Sequence, residues 1–457
     1  MKRNDWLLFL IGLGCETQIH LVGYIGISEL ILFVFGPFMF MQNYYRLKHD
    51  GFMPLIWLTW LAFFGGLLSG WWNHIPFPSI LRGVAAPYAV FCTVCVMHHF
   101  LVRDLKGIRY FFIGVAFSFV ISRFIFQPGN ISVARGVKLK QEDAAVIAVT
   151  SSLFLIQLLG YCLTIPVYGW FKKVPKWYCL LALLVLGYVG FAMSNNRSSL
   201  IMVFASLFLI AVGGKTARAQ KFVRKSFWLV MLAAIIVAPI LNKFYVYTAS
   251  HGYLGQDAEK KYQAQTKRGT DMLSVLIAGR TAFFAGLVAA FDKPIIGHGP
   301  WALDYKGYWR EFLSKYGERD DMMWVEGMER TGRYTLIPSH SILLGFWIWY
   351  GIPGLILACY MVFLYFDVLK NRLSTIPALY GYFAFILPGC LWHWLFSPFG
   401  GRVNAAVVLV LCLIARNVGR GRMSIQYDMT NQGWSPSLPH LGPSPLPPMP
   451  PFGKGEA

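Results

Sequence analysis

Charge is what this sequence is short of. Only 14% of its residues are charged, against roughly 25% in a soluble globular chain. Acidic residues are scarcer still, 21 against 41 basic ones. That scarcity excludes an ordinary soluble domain. Nucleotide motifs are missing too: there is no P-loop and no G-x-G-x-x-G after a strand, so nothing in the chain supports an ATP-driven role. Paired cysteine motifs are absent. The eight cysteines lie in or beside apolar runs, and Cys92-x-x-Cys95 has no partner pair to complete a zinc or redox site. No internal repeat is visible. No small-residue cleavage site follows the first apolar run, so no cleavable signal peptide is expected.

What is present is apolar sequence, 56% of the chain. It falls into runs of about 20 residues, the length that crosses a bilayer. The pattern predicts an all-α polytopic membrane protein of about twelve spans, near 6–20, 22–41, 53–70, 80–101, 108–126, 144–168, 177–194, 198–213, 227–247, 339–366, 376–396 and 403–415. The formal net charge of +20 suggests nucleic acid at first sight. Its distribution argues for no nucleic-acid role, because basic residues gather in alternate short loops. Arg46 and Lys48; Arg103, Lys106 and Arg109; Lys172, Lys173 and Lys176; Lys215 to Lys225; Lys370 and Arg372; and Arg416 to Arg422 all fall on one side. That is the positive-inside pattern, with both termini cytoplasmic. The loop before span six, with Arg135, Lys138 and Lys140 against Glu142 and Asp143, is a mild exception.

The chain then divides into four parts. Residues 1–247 carry spans one to nine, and 248–337 form one large polar loop on the outer, periplasmic side. Residues 338–416 carry spans ten to twelve. Residues 417–457 form a Pro-rich tail, expected to be disordered and cytoplasmic; it is either dispensable or a PxxP-type ligand. The loop holds 11 of the 21 acidic residues, and a polar loop this long is functional or a small domain. Met272 to Phe291 has helical spacing, for a helix that lies on the membrane surface or covers a cavity.

Span ten is expected to open with Pro338-Ser339-His340-Ser341, placing His340 at the mouth of a membrane helix with Ser339 or Ser341 as its cap. Eleven residues on, close to three turns, Gly351 would share its face. Gly351-Ile352-Pro353-Gly354 would admit another backbone and kink the helix. Three more features fall on the outer side: Arg197 at the start of span eight, Arg280, and the turn Lys293-Pro294-Ile295-Ile296-Gly297-His298-Gly299-Pro300. Outer arginines run against the charge bias. Each has a plain reading: His340 as an interfacial anchor, Arg197 snorkelling to head groups, Arg280 in a loop salt bridge. The chemical reading is an anionic ligand, since guanidinium grips phosphate oxygens with a planar fork.

In this order the motifs resemble those of the O-antigen ligase and polymerase superfamily. His340-Ser341, nine residues, then Gly351-x-x-Gly354 is similar to its H-[NSQ]-x9-G-x-x-G segment. Gly279-Arg280 followed by an apolar helix and Lys293-Pro-x-x-Gly297-x-Gly299 is similar to its second segment, and Asn196-Arg197-Ser198-Ser199 to its S-R-[SG] element. The chain departs from the pattern at Phe283 or Phe284 for a Trp, at Tyr350 for an acidic residue and at Ser341 for Asn. The resemblance implies a GT-C-like fold in the bacterial inner membrane. It implies a glycan ligase, or a polymerase, of lipopolysaccharide or exopolysaccharide synthesis. The donor would be an undecaprenyl-diphosphate-linked glycan, the acceptor a glycan or lipid A-core, and a polysaccharide assembly complex a further partner. It makes His340 the general base and Arg197 and Arg280 the diphosphate ligands. Gly297, His298, Gly299, Ser341, Gly351 and Gly354 support them. Neither a cofactor nor a metal is expected, and transfer is expected to invert. Asp320-Asp321, the only adjacent aspartates in the loop, would serve a metal-dependent version. A transporter of lipid-linked glycans and a non-catalytic scaffold are the competing classes. A transporter commonly shows repeat symmetry or broken helices at the midplane. The topology makes the first testable prediction: a cysteine at Ser314 should react with an impermeant thiol reagent in whole cells, and one at Thr216 should not. The reverse pattern would invert the chain.

Overall fold

The computed structural model describes residues 3–15, 18–20, 24–124, 281–316, 319–332, 334–339, 341–373, 379–396 and 402–421, with scattered positions elsewhere between 205 and 423. Arg197, His340 and the tail beyond 423 lie outside the described residues, as does most of the stretch expected to form spans six to nine. What is described is mostly helical. A short antiparallel hairpin, β1 (Gln18–His20) and β2 (Tyr24–Gly26), is the one small sheet among the described residues.

The first half gives α1 (Arg3–Leu13), α2 (Ile27–His49), α3 (Met53–Trp72), α4 (Phe77–Leu101) and α5 (Ile108–Phe124). The hairpin occupies the segment expected to end span one and begin span two, so the first two spans are redrawn. The last three helices match their expected bounds closely. Proline begins α3 and α4, where its missing N–H costs nothing. The second half gives α6 (Thr281–Asp292), α7 (Tyr308–Tyr316), α8 (Arg319–Arg330), α9 (Ile342–Tyr350), α10 (Ile352–Asp367), α11 (Tyr380–Phe396) and α12 (Arg402–Val418). A π-helical turn, Val368–Arg372, extends α10.

Three of the described helices, Met53–Trp72, Phe77–Leu101 and Ile352–Arg372, are long and apolar enough to cross a membrane. Twenty residues at 1.5 Å rise cover about 30 Å, the hydrocarbon thickness. Their outward faces agree. Trp57, Leu61, Phe64 and Leu68 of α3 form an exposed stripe at helical spacing, as do Ile352, Ile356 and Phe363 of α10. Bulky apolar stripes on the outer surface of helices long enough to span suit contact with lipid.

The bundle has two distinct ends. At one lie the α2–α3 turn, the end of α4 and the ends of α10 and α12. Asn417 Nδ2 donates to the Asp50 carbonyl over 2.5 Å, and Arg372 donates to the Gly419 carbonyl over 2.7 Å. Asp50 Oδ2 lies 2.8 Å from His98 Nε2. Burial alone would raise the Asp50 carboxyl, but hydrogen bonds from His98 and His49 hold it below the ordinary carboxylate range. Arg46, Lys48, Arg103, Lys370, Arg372, Arg416 and Arg420 cluster at this end. At the other lie the α3–α4 turn, the start of α10, whose Pro353 packs on Gly65, and the end of α11. The direction of α11 follows from Tyr382 in its first turn, 4.9 Å from Phe112 near the start of α5.

Span ten is the main correction. The apolar run expected to be one kinked helix from 339 to 366 is two helices separated by Gly351. That residue has φ 64° and ψ −147°, a region essentially reserved for glycine. Ser341 is the N-cap of α9 and Gly351 its C-cap, so the helix expected to run through Gly351 stops there. A Cβ at Gly351 would run into the Ile295 carbonyl. Gly351→Ala is expected to cost at least the about 1–3 kcal/mol of such backbone strain, read as a lower unfolding temperature of the purified protein in detergent. An unchanged midpoint would mean that the break does not depend on glycine.

Candidate functional site

Everything at the second end is organised by a turn. Helix α6 ends at Asp292, and Lys293-Pro294 starts a loop that folds back on itself, with Gly297 N–H donating to the Lys293 carbonyl over 3.0 Å. This loop meets the α9–α10 break backbone to backbone. His298 N–H donates to the Ile348 carbonyl over 2.7 Å, and Ile352 N–H donates to the Ile295 carbonyl over 3.0 Å. Such approach needs glycine on both sides: a Cβ at Gly297 would lie 2.7 Å from Gly351 N. Gly299 packs on Ile75, and Gly354 sits under the Phe346 carbonyl. Asn73, which closes α3, donates to the Gly297 carbonyl over 3.0 Å and accepts from Lys293 Nζ over 2.6 Å. The Lys-Pro-x-x-Gly-x-Gly spacing is thus a clasp fastened to α3 and α10.

His298 belongs to the clasp. Its ring is 8% exposed, and Nε2 donates to the Ala289 carbonyl over 2.7 Å. Tyr308 packs edge-on at 5.7 Å, and its hydroxyl donates to Asp292. Burial pushes the imidazole below its ordinary value, partly offset by the Ala289 carbonyl, so it is neutral at pH 7. Hydrogen bonds from Lys306 and Tyr308 hold Asp292 below the usual carboxylate range.

From the clasp the chain reaches α7, whose first turn is capped by Asp304. Its carboxylate accepts from Tyr308 N at 2.9 Å and Trp309 N at 2.8 Å. It returns from α8 along 334–339, where Ile337 N–H donates to the Ala302 carbonyl and Asp304 N–H to the Thr335 carbonyl. The Pro338 carbonyl then packs against Gly286 of α6. This delivers Ser341 to the start of α9. Its hydroxyl accepts from Leu344 N over 3.2 Å and donates to the Trp394 carbonyl of α11 over 3.0 Å.

Arg280, the residue before α6, arrives at the same place. Its guanidinium lies 5.4 Å from the ring centre of Trp392, two residues from Trp394. The helix expected from Met272 is described from Thr281 onward, with Arg280 as the N-terminal boundary residue. Two motifs about 60 residues apart in sequence therefore converge on the last turns of α11. Arg197 lies outside the described residues. Among the described residues, no group of three His, Cys, Asp or Glu side chains is spaced to hold a metal ion.

Three participants escaped the sequence reading. Trp392 and Trp394 passed as part of an apolar run. Arg82, near the start of α4, is another arginine at this end and breaks the charge bias that exposed Arg197 and Arg280. Its guanidinium lies 5.1 Å from the ring centre of Trp301, a non-glycine residue held at φ 59°, which stacks in turn on Trp349 at 5.4 Å.

Comparison with known protein families and with curated proteins finds no match to this chain.

The geometry gives His298 a structural role with a pH signature. Below about pH 6.5 an unfolded imidazole takes up a proton that the buried one refuses. Its share of stability is therefore full above that pH and lost as pH falls toward the depressed folded value. His298→Ala is expected to cost about 1–3 kcal/mol by orphaning the Ala289 carbonyl, with a loss of unfolding temperature and a flatter dependence between pH 7 and 5. Loss of turnover at unchanged stability would instead put His298 in the chemistry.

Proposed function

We propose that this protein is a membrane glycan transferase of the O-antigen ligase type. It moves a polysaccharide from undecaprenyl diphosphate to an acceptor sugar hydroxyl at the end of the bundle opposite the basic cluster. By the charge bias, that end faces the periplasm. The observation that carries the reading is the convergence of Arg280 and Ser341 on Trp392 and Trp394. It brings a cation for the donor's phosphates together with the chain segment next to the candidate base.

The chemistry asks for few parts. The acceptor hydroxyl is a weak nucleophile; as its oxygen bonds to the anomeric carbon, His340 takes the proton. Ser341 occupies the N-cap of α9, so the helix dipole disfavours a second positive charge beside it and favours neutral imidazole. The bond from the anomeric carbon to the diphosphate breaks on the opposite face, which inverts the configuration. The departing diphosphate gains charge, and Arg280 with Arg197 stabilises it through forked hydrogen bonds. Ligation and polymerisation share this step and differ only in the acceptor.

The deciding experiment is His340→Ala in purified protein with a lipid-linked donor. General-base catalysis contributes about 10²–10⁴-fold, so turnover should fall by that factor while donor binding persists. Activity of the parent should also fall at acid pH, because an imidazolium does not accept a proton. Arg280→Lys and Arg197→Lys should each lose most activity, because a point charge does not replace the fork. Near-normal turnover in His340→Ala would remove the base from this mechanism. Full activity in both Lys variants would remove the bidentate grip. Products from a deletion strain separate the two transferases: a lost ladder on intact core indicates a ligase, single repeats a polymerase.

A further inference from the structure

Helix α6 is built inside out for a helix in a water-facing loop. Its buried face is Ala282, Ala285, Gly286, Ala289 and Ala290, all small. Phe283 and Leu287 flank that face and pack on the same cluster, while Val288, 44% exposed, and Phe291, 64% exposed, point the other way. Ile295 just beyond the helix is 66% exposed. No charged residue occurs from Thr281 to Phe291. Small residues inward and large apolar residues outward is the arrangement of helices packed in a membrane. The neighbouring helices of the same loop do the opposite. Arg310 and Lys315 of α7 and Arg330 of α8 are more than half exposed, as suits water.

The apolar face of α6 is also continuous with a lipid-facing one. Ile352 N–H donates to the Ile295 carbonyl, so Ile295 adjoins Ile352 and, one turn on, Ile356 in the exposed stripe of the 21-residue apolar helix Ile352–Arg372. Charge begins where that surface stops. Asp292 accepts from Lys306 Nζ over 2.7 Å and from Tyr308, and Lys293 donates to Asn73 at the end of α3, beside the exposed Trp71 and Trp72. Tryptophans and a lysine at one level mark a membrane–water boundary.

We infer that α6 is a lipid-embedded half-helix, its Val288–Phe291–Ile295 face in contact with phospholipid acyl chains and the bilayer surface passing through Asp292 and Lys293. Twelve residues span about 18 Å, too short to cross and long enough to enter one leaflet. Helix α6 then carries Arg280 inward from the surface, to Trp392 one turn below the end of α11. The inference rests on the membrane-spanning reading of α3, α4 and α10 and is independent of the transferase chemistry.

The test is photocrosslinking in the full-length protein reconstituted into phosphatidylethanolamine–phosphatidylglycerol vesicles. Benzoyl-phenylalanine replaces, one at a time, Val288, Phe291, Ile295, Ile356 as the lipid-facing reference and Tyr305, 67% exposed beside α7, as the water-facing one. Mass spectrometry reads covalent phospholipid adducts. Adducts at 288, 291 and 295 comparable to those at 356, and absent at 305, are expected. Positions 288, 291 and 295 behaving like 305, or crosslinking to other parts of the chain, would overturn the inference. Neither result depends on whether the protein transfers a glycan.

Discussion

The second end of this protein depends on two backbone hydrogen bonds, from His298 to the Ile348 carbonyl and from Ile352 to the Ile295 carbonyl. Each contributes a net of only about 1 kcal/mol. Their importance is geometric. They join a loop to the break between α9 and α10, and that break exists because Gly351 adopts a conformation closed to other residues. With the break in place, α9 is free to run across to α11 and put Ser341 on the Trp394 carbonyl. Without it, one continuous helix would carry the start of α9 away from Arg280.

A clasp of this kind suits a site whose parts come from distant stretches of sequence. The loop supplies Arg280 through α6, and α9 supplies the segment after His340. Neither element is anchored by a long helix of its own. Each is short, and both are fixed by the same turn: α6 runs into it, and α9 ends against it. Asn73 extends the chain of contacts to α3, and Tyr350 extends it to α4 through a 2.8 Å hydrogen bond to the Gly83 carbonyl. A displacement of the loop would therefore move Arg280 and Ser341, the two described parts of the proposed site, together. Precise placement matters in such chemistry, because small misplacements of reacting groups cost large factors in rate.

The sequence made some of this legible and hid the rest for physical reasons. Spans three to five could be read because each is an apolar run bounded by prolines or charge. Gly297, Gly299, Gly351 and Gly354 stood out by spacing, but spacing does not say which backbone each one admits. The pairing of Gly297 with Gly351 is a contact across 54 positions. Span ten reads as one helix kinked at Gly351-Ile352-Pro353-Gly354; that the kink is a full break lies in one residue's dihedral angles, which spacing does not reveal. Helix α6 read as part of a polar loop because the loop as a whole is polar; its own twelve residues are not. Trp392 and Trp394 carried no signal at all, since a tryptophan in an apolar run looks the same whether it faces lipid or a guanidinium.

The distribution of buried charge bears on the choice between chemistry and transport. Among the described residues, buried acidic and histidine side chains sit at helix termini or in the loop layer: Glu29 in the first turn of α2, Asp50 between α2 and α3, His98 and His99 in the last turn of α4, His298 and Asp304 in the loop. The buried threonines between, Thr59 and Thr93, spend their hydroxyls on carbonyls of their own helices. A pathway for a charged, lipid-linked glycan would want polar groups along the middle of a bundle, because unpaired charge in hydrocarbon costs several kcal/mol. The described helices instead pack an apolar interior and collect arginine, tryptophan and the clasp at one end. Among the described helices there is thus no polar path through the middle of the bundle, and the proposed site gathers toward its outer end.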